Sequence, residues 1–385
     1  MKIGVIGMND VSVAFSLLCE KAGYVVIISD EIEDVVFNFN KEIYTTKEPL
    51  IQKMLFESDN ISATTDVSEL IESCGIIFTF IDTPPTINGD NDTKNVFEVV
   101  NHFFTTSQLD KSIHSKKFVI GSTMCPGEVE QIQQKLNMFN IQVGYNPHMS
   151  SEGSIVSDFE NSDIVLIGTE YDELSRELIK IYTKLQLKTV NAFVMSTKAA
   201  EITKLAINSY LASKISFANT LGNLILKSGL QEESSLIVKT MENDSRIGKG
   251  YFRYGFGYGG SNLPRDLNSL TNYLKNFDIN TILLDSIKES NHKHHEFLKS
   301  YYTSQNPNKS VPFVFKNIGF KNGSGNLIDS QPYKLCIELL EEGYYINLIN
   351  DSSSKNDLTK LSESYDGRLK VYKKGTSPEG FLINL

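Results

Sequence analysis

Short β-branched runs alternate with helical stretches along the first 190 residues, and this alternation narrows the fold more than any other feature. "KIGVI" (2–6), "YVVIIS" (24–29), "GIIFTF" (75–80), "KFVIGS" (117–122), "IQVGYN" (141–146) and "DIVLIG" (163–168) read as strands. Amphipathic helix candidates such as 11–22, 66–73 and 127–137 lie between them. Apolar strands separated by helices predict a parallel sheet covered on both faces.

The middle of the chain is different. From Ser196 to Lys227 there is no proline and no early glycine, and apolar residues recur at helical spacing, so one long helix is expected. Further helices are predicted around 231–242, 264–276 and 279–303. His292 and His295 share a face of the last one. With no third ligand in view, that cluster reads as a solvated helix surface and no metal is expected. "TSQNPNKS" (303–310) reads as a linker. Beyond it, strands in "VPFVFKNIGF" (311–320) and "YYINLIND" (344–351) flank a helix at 330–342, giving a second, smaller α/β unit.

The net charge is −10, which disfavours nucleic acid as a partner. No stretch is long enough to span a bilayer, and the first apolar run is too short for a signal peptide. Cys19, Cys74, Cys125 and Cys336 are scattered without metal spacing, as expected of thiols in a reducing cytoplasm.

After the first strand, a dinucleotide fold would carry G-x-G-x-x-G. Here the register reads Gly7-Met8-Asn9-Asp10-Val11-Ser12, and only the first glycine is present. Asn9 is expected to supply the turn at positive φ, and Ser12 the close packing. Asp10 is expected to cap the helix and to repel a pyrophosphate from its start. Asp30 ends the second strand, where a carboxylate would bind the adenosine ribose.

Five collinear segments follow: "FIDTPP" (80–85), "GSTMCPGEVE" (121–130), "YNPHMSSEGS" (145–154), "AAEITKLAINSYLASKISFAN" (199–219) and "RIGKGYFRYGFGYGGSNLPRD" (246–266). Together they resemble the UDP-glucose/GDP-mannose dehydrogenase family over nearly the whole chain. The resemblance implies two Rossmann-like α/β domains joined by a long helix and a helical middle domain. It places an NAD-binding domain at 1–195, a helical dimerisation domain at 196–303, and a shortened nucleotide-sugar-binding domain at 311–385. It also implies a homodimer associated through the long helix. Family members oxidise the C6 hydroxyl of a nucleotide-linked sugar twice with two NAD, through an aldehyde, a cysteine thiohemiacetal and a thioester.

Residue by residue, the resemblance makes Lys204 the lysine that stabilises the sugar oxyanion, with Asn208 one turn further along the helix. Asp266 matches the aspartate that orients a catalytic water. Thr123 falls in the catalytic threonine segment. Gly7, Asn9, Val11, Asp30, Thr83, Thr123 and Glu152 take cofactor-side positions. Arg246, Tyr251, Gly259 and Lys321 join Lys204 and Asn208 as substrate-side positions.

Other positions depart from the pattern. The nucleophile of G-G-x-C-x-P-K-D is Asn262. The first glutamate of N-P-E-F-x-x-E is His148, and the arginine expected seven residues beyond Lys321 is Ile328. An amide cannot form a thiohemiacetal, so the covalent second oxidation is expected to be absent, while the groups serving the first hydride transfer remain. The alternatives are a nucleotide-sugar-binding pseudoenzyme, acting alone or as regulatory partner of an active homologue, and a β-hydroxyacid dehydrogenase-like single hydride transfer. "KLAIN" also resembles the Lys-x-x-x-Asn pair of that last group.

Overall fold

The structure is a computed structural model that describes residues 1–321, 326–350, 355–365 and 367–383. It divides into two compact units, Met1–Leu205 and Ala206–Leu385. The division falls inside one continuous helix, Thr197–Lys227, which matches the long helix expected at 196–227.

The first unit is built on an eight-stranded sheet. Its strands are β1 (Lys2–Ile6), β2 (Val25–Ser29), β3 (Ile61–Thr64), β4 (Ile76–Thr79), β5 (Lys117–Ile120), β6 (Gln142–Tyr145), β7 (Val165–Gly168) and β8 (Ala192–Met195). Their spatial order is β3-β2-β1-β4-β5-β6-β7-β8. All neighbours run parallel except β6 and β7, which meet antiparallel through Tyr145 and Gly168. The expectation of a purely parallel sheet is corrected at that one seam.

Alternating strand residues feed two cores. Ile76 and Phe78 pack with Phe15 and Leu178 on one face, and Ile77 and Phe118 pack with Val100 and Ile132 on the other. This two-sided burial explains the continuous apolar runs. β3 (ISAT) gave no such run, while β8 is apolar in sequence (AFVM) yet leaves Phe193 and Val194 exposed; both are edges of the sheet.

In the second unit, the helices Ser234–Glu242, Leu263–Lys275 and Ile282–Gln305 follow the long helix. The last covers the first three residues of the predicted linker, 303–305. A four-stranded parallel sheet then forms from β9 (Phe313–Phe315), β10 (Ile346–Asn350), β11 (Leu369–Lys373) and β12 (Phe381–Ile383), in the order β11-β10-β9-β12. The predicted strand 344–351 reaches Asp351, which lies outside the described residues. The helix Gln331–Glu341 covers this sheet with Leu335, Cys336, Leu339 and Leu340.

Candidate active site

In the first unit the chain reverses its direction across the sheet between β1 and β4, and the crevice at their carboxyl ends is where a doubly wound sheet binds its ligand. Gly7 leaves β1 at φ +95°, and a Cβ there would lie 3.1 Å from Ile81 Cγ1. Asn9 does not take the positive φ expected of it. It is extended, with φ −110° and ψ 174°, and it is the N-cap of the helix Asp10–Lys21. Its Oδ1 accepts from Ser12 N–H at 3.0 Å, while Ser12 Oγ accepts from Asn9 N–H at 2.9 Å, a reciprocal capping box. Asp10 is therefore the first helical residue rather than the cap. The amide of Asn9 also donates to Phe80 O at 2.7 Å and Asp82 Oδ1 at 3.1 Å, tying the tips of β1 and β4 together.

Asp30 stands at the end of β2 and accepts from Met8 N–H at 3.2 Å and Ile32 N–H at 3.0 Å. The Tyr44 phenol hydrogen-bonds Asp10 and lies within electrostatic reach of Asp30 and Asp82. Burial first, then these carboxylates, push its pKa up. Val11 packs half-buried against the core beside this turn. The strand order, Gly7 and Asp30 fit the adenosine half of NAD, while the helix start carries an opposing carboxylate.

Two further expected residues meet beside β4 and β5. Thr83 Oγ1 donates to the Thr123 carbonyl at 3.0 Å, and both residues are buried. Lys204 Nζ donates to the backbone carbonyl of His148 at 2.7 Å and lies 3.8 Å from Met149 Sδ. The His148 ring shares a 2.8 Å hydrogen bond with Ser150 Oγ and meets Phe80 edge-on. Glu152 lies half-buried in the following loop. That loop is anchored by Glu48, which accepts from the Gly153 and Ile155 amides and whose pKa is raised by burial.

In the second unit, Asn208 Nδ2 donates to Asp266 Oδ2 at 2.5 Å, and Arg265 grips Asp266 Oδ1 through Nε at 2.9 Å and its terminal nitrogen at 2.8 Å. Asp266 is fully buried. Asn262 is exposed at the start of the helix Leu263–Lys275, and its carbonyl accepts from Asp266 N–H at 2.9 Å. Gly259 is closed against the protein itself, since a Cβ there would lie 2.0 Å from the Asp329 carbonyl. Arg246 forks onto Asp244, and Tyr251, at φ +57°, and Lys321 are exposed. Ile328 is also exposed. The two histidines of 292–295 part company: His292 faces Glu296 at the surface and His295 is buried on Glu338.

Residues 1–186 match the model of the UDP-glucose/GDP-mannose dehydrogenase family, NAD binding domain, and residues 198–293 match that family's central domain. The chain belongs to the UDP-glucose/GDP-mannose dehydrogenase family. A UDP-glucose 6-dehydrogenase of Campylobacter jejuni is 29% identical, covering 97% of each chain. One of Rickettsia typhi is 30% identical over 76% of this chain and 67% of its own. The solved structure of a UDP-glucose dehydrogenase from Pyrobaculum islandicum superposes with a TM-score of 0.85 at 21% identity, covering 96% of this chain and 85% of its own.

Two further carboxylates, the buried Glu201 and the half-buried Glu128, hold the start of the helix Glu128–Leu136. Glu201, one helical turn before Lys204, has no exposed surface and accepts from Gly127 N–H at 2.6 Å and Val129 N–H at 2.9 Å. It thereby caps the helix Glu128–Leu136, whose own N-cap, Gly127, offers no side chain. Glu128 accepts from Thr93 Oγ1 and Cys125 N–H, both at 2.8 Å. The spacing "AAEITK" was the available signal for Glu201, since position 201 shares the helix face of 204.

Burial raises the Glu201 pKa to about 7, against the pull of its two amide bonds, and Glu128 adds to the rise. Between the ordinary carboxylate value and about 7 the unfolded chain holds fewer protons than the folded one, so stability falls as pH rises through that window. The Glu201 contribution is on the order of 3 kcal/mol across it. Denaturant midpoints at pH 5 and pH 8 should show a smaller loss in Glu201→Gln than in the natural protein, and an equal loss would refute this assignment.

Proposed function

We propose that this chain is an NAD-dependent nucleotide-sugar 6-dehydrogenase that performs one two-electron oxidation and releases the aldehyde. The observation that carries the reading is Asn262, an exposed, non-nucleophilic amide at the start of the helix that bears the buried Asp266. NAD, when bound, accepts the hydride. Lys204 supplies the positive charge that stabilises the alkoxide, with the His148 carbonyl fixing its Nζ. Asp266, oriented by Asn208 and Arg265, takes the water-ordering role on the substrate side. Thr83 and Thr123 take the cofactor side, and Arg246, Tyr251, Gly259 and Lys321 belong to the substrate side.

Incubation with NAD and a panel of nucleotide sugars should yield one NADH per sugar and an aldehyde that hydroxylamine traps. Two NADH per sugar, or an acid product, would overturn it. Joint Asn262→Cys and His148→Glu substitution should raise the yield towards two. The carboxylates around the β1–β4 crevice favour a second reading, a nucleotide-sugar-binding protein without turnover. Sugar binding with no NADH, and no measurable NAD affinity, would select it.

The same reading makes the chain a cytoplasmic homodimer. Tyr210, Phe217 and Leu224 recur at seven-residue intervals on the long helix and are each more than half exposed, a stripe suited to a second copy. None of the four cysteines is in a disulfide, and among the described residues no helix is long and apolar enough to cross a membrane. Sedimentation at twice the chain mass checks the dimer, and sedimentation at the mass of a single chain counts against it.

A further inference from the structure

The glycine loop 255–260 is gripped by side chains from two helices of its own unit, Thr197–Lys227 and Ile282–Gln305. Asn219 has no exposed surface and serves two adjacent backbone groups at once. Its Oδ1 accepts from Gly255 N–H at 3.0 Å, and its Nδ2 donates to Phe256 O at 3.2 Å. Asn291 treats Tyr258 the same way, accepting from its N–H at 2.9 Å and donating to its carbonyl at 3.0 Å. His294, 2% exposed, places Nε2 at 2.7 Å from the Gly255 carbonyl. A carbonyl only accepts, so this nitrogen carries the proton. The other ring nitrogen faces Asn223 Oδ1 at 3.0 Å.

The density of glycine in this stretch follows from the grip. A Cβ on Gly257 would lie 2.4 Å from Asn291 Oδ1, and one on Gly260, at φ +77°, would lie 2.8 Å from the Phe320 ring. The missing side chains admit the clamp from within the protein. A side-chain amide that pairs with both N–H and C=O of one residue imitates a neighbouring strand, so the loop cannot slide without breaking two bonds together.

We propose that Asn219, Asn291 and His294 are positioning residues that fix where this loop presents Ser261 and Asn262 to the sugar of the substrate. The inference rests on the reading above that this loop faces the nucleotide sugar. With no nucleophile at position 262, recognition there depends on placement alone, and placement is what the clamp provides.

The test uses the full chain and two readouts. Hydrogen exchange of the Gly255 and Tyr258 amides should accelerate at least tenfold in Asn219→Ala and Asn291→Ala respectively. The KM for the nucleotide sugar should rise about tenfold in each and in His294→Phe, while the KM for NAD stays within about twofold. His294→Gln, which keeps an N–H donor, should recover part of the sugar KM, and it replaces His294→Phe if that variant does not fold. Faster exchange with an unchanged sugar KM would leave only an architectural role and overturn the proposal, as would unchanged exchange. If the natural protein yields no NADH from any nucleotide sugar, the proposed oxidation has failed. The sugar Kd by calorimetry, with the same exchange measurement, then decides the clamp independently.

Discussion

Asp266→Ala is expected to lower the unfolding free energy by about 3–5 kcal/mol, the scale for removing one partner of a buried ion pair. The carboxylate has no exposed surface, and it is the counter-charge of Arg265, itself 8% exposed. Truncation leaves the guanidinium in a low-dielectric setting without its anion, and it also strips the Asn208 amide of its acceptor. Against a typical stability of about 5–15 kcal/mol the loss is severe. Asp266→Asn keeps the shape but turns an NH2 group towards one of two donors, so an intermediate loss follows. Asp266→Leu combined with Arg265→Met removes both charges and should cost less than the two single changes added together. Urea denaturation of the natural protein, the two single variants and the double variant completes the cycle. An alanine variant within about 1 kcal/mol of the natural protein would contradict this account.

Asp10→Ser should move two observables in opposite directions. Stability should fall by about 0.3–1 kcal/mol, because a carboxylate in the first helical turn complements the positive end of the helix, and the Tyr44 phenol loses its partner. NAD affinity should rise by roughly tenfold at low salt, since a carboxylate a few ångströms from a pyrophosphate opposes it by about 1–2 kcal/mol at intermediate dielectric. The gain should shrink as ionic strength increases. Calorimetric titration at two salt concentrations reads both the affinity and its salt dependence. Unchanged affinity at low salt would show that Asp10 is turned away from the cofactor path.

The fold was legible where burial is two-sided. β1, β2, β4, β5, β6 and β7 bury residues on both faces and so wrote continuous apolar runs into the sequence. β3 at one edge left no such run, and β8 at the other reads AFVM without being buried on both faces. At the candidate site, residue types were legible and conformations were not. Asn9 is expected at a left-handed turn, yet its backbone is extended, because the capping box with Ser12 outweighs such a turn. The "AAEITK" spacing places Glu201 on the face of Lys204, but its partners are backbone amides some 70 residues earlier, so its capping role is not written locally. The dense glycines of 257–260 have a structural cause that the sequence does not show. The Cα faces of Gly257, Gly259 and Gly260 are taken by Asn291, Asp329 and Phe320, a closeness that composition alone does not disclose.

The capping box at Asn9 also limits how this region can change over generations. One amide closes a helix end and spans two strand tips, so it needs an acceptor on one side and a donor on the other. Aspartate supplies no donor, serine is too short to reach both partners, and glycine offers neither. The position has almost no neutral replacements, while Met8, whose side chain enters none of these bonds, is held only by its packing against the core. Inherited variation in this turn should therefore collect around a fixed asparagine, and Asn9 and Ser12, which stand where the second and third glycines would, form a built cap rather than damage.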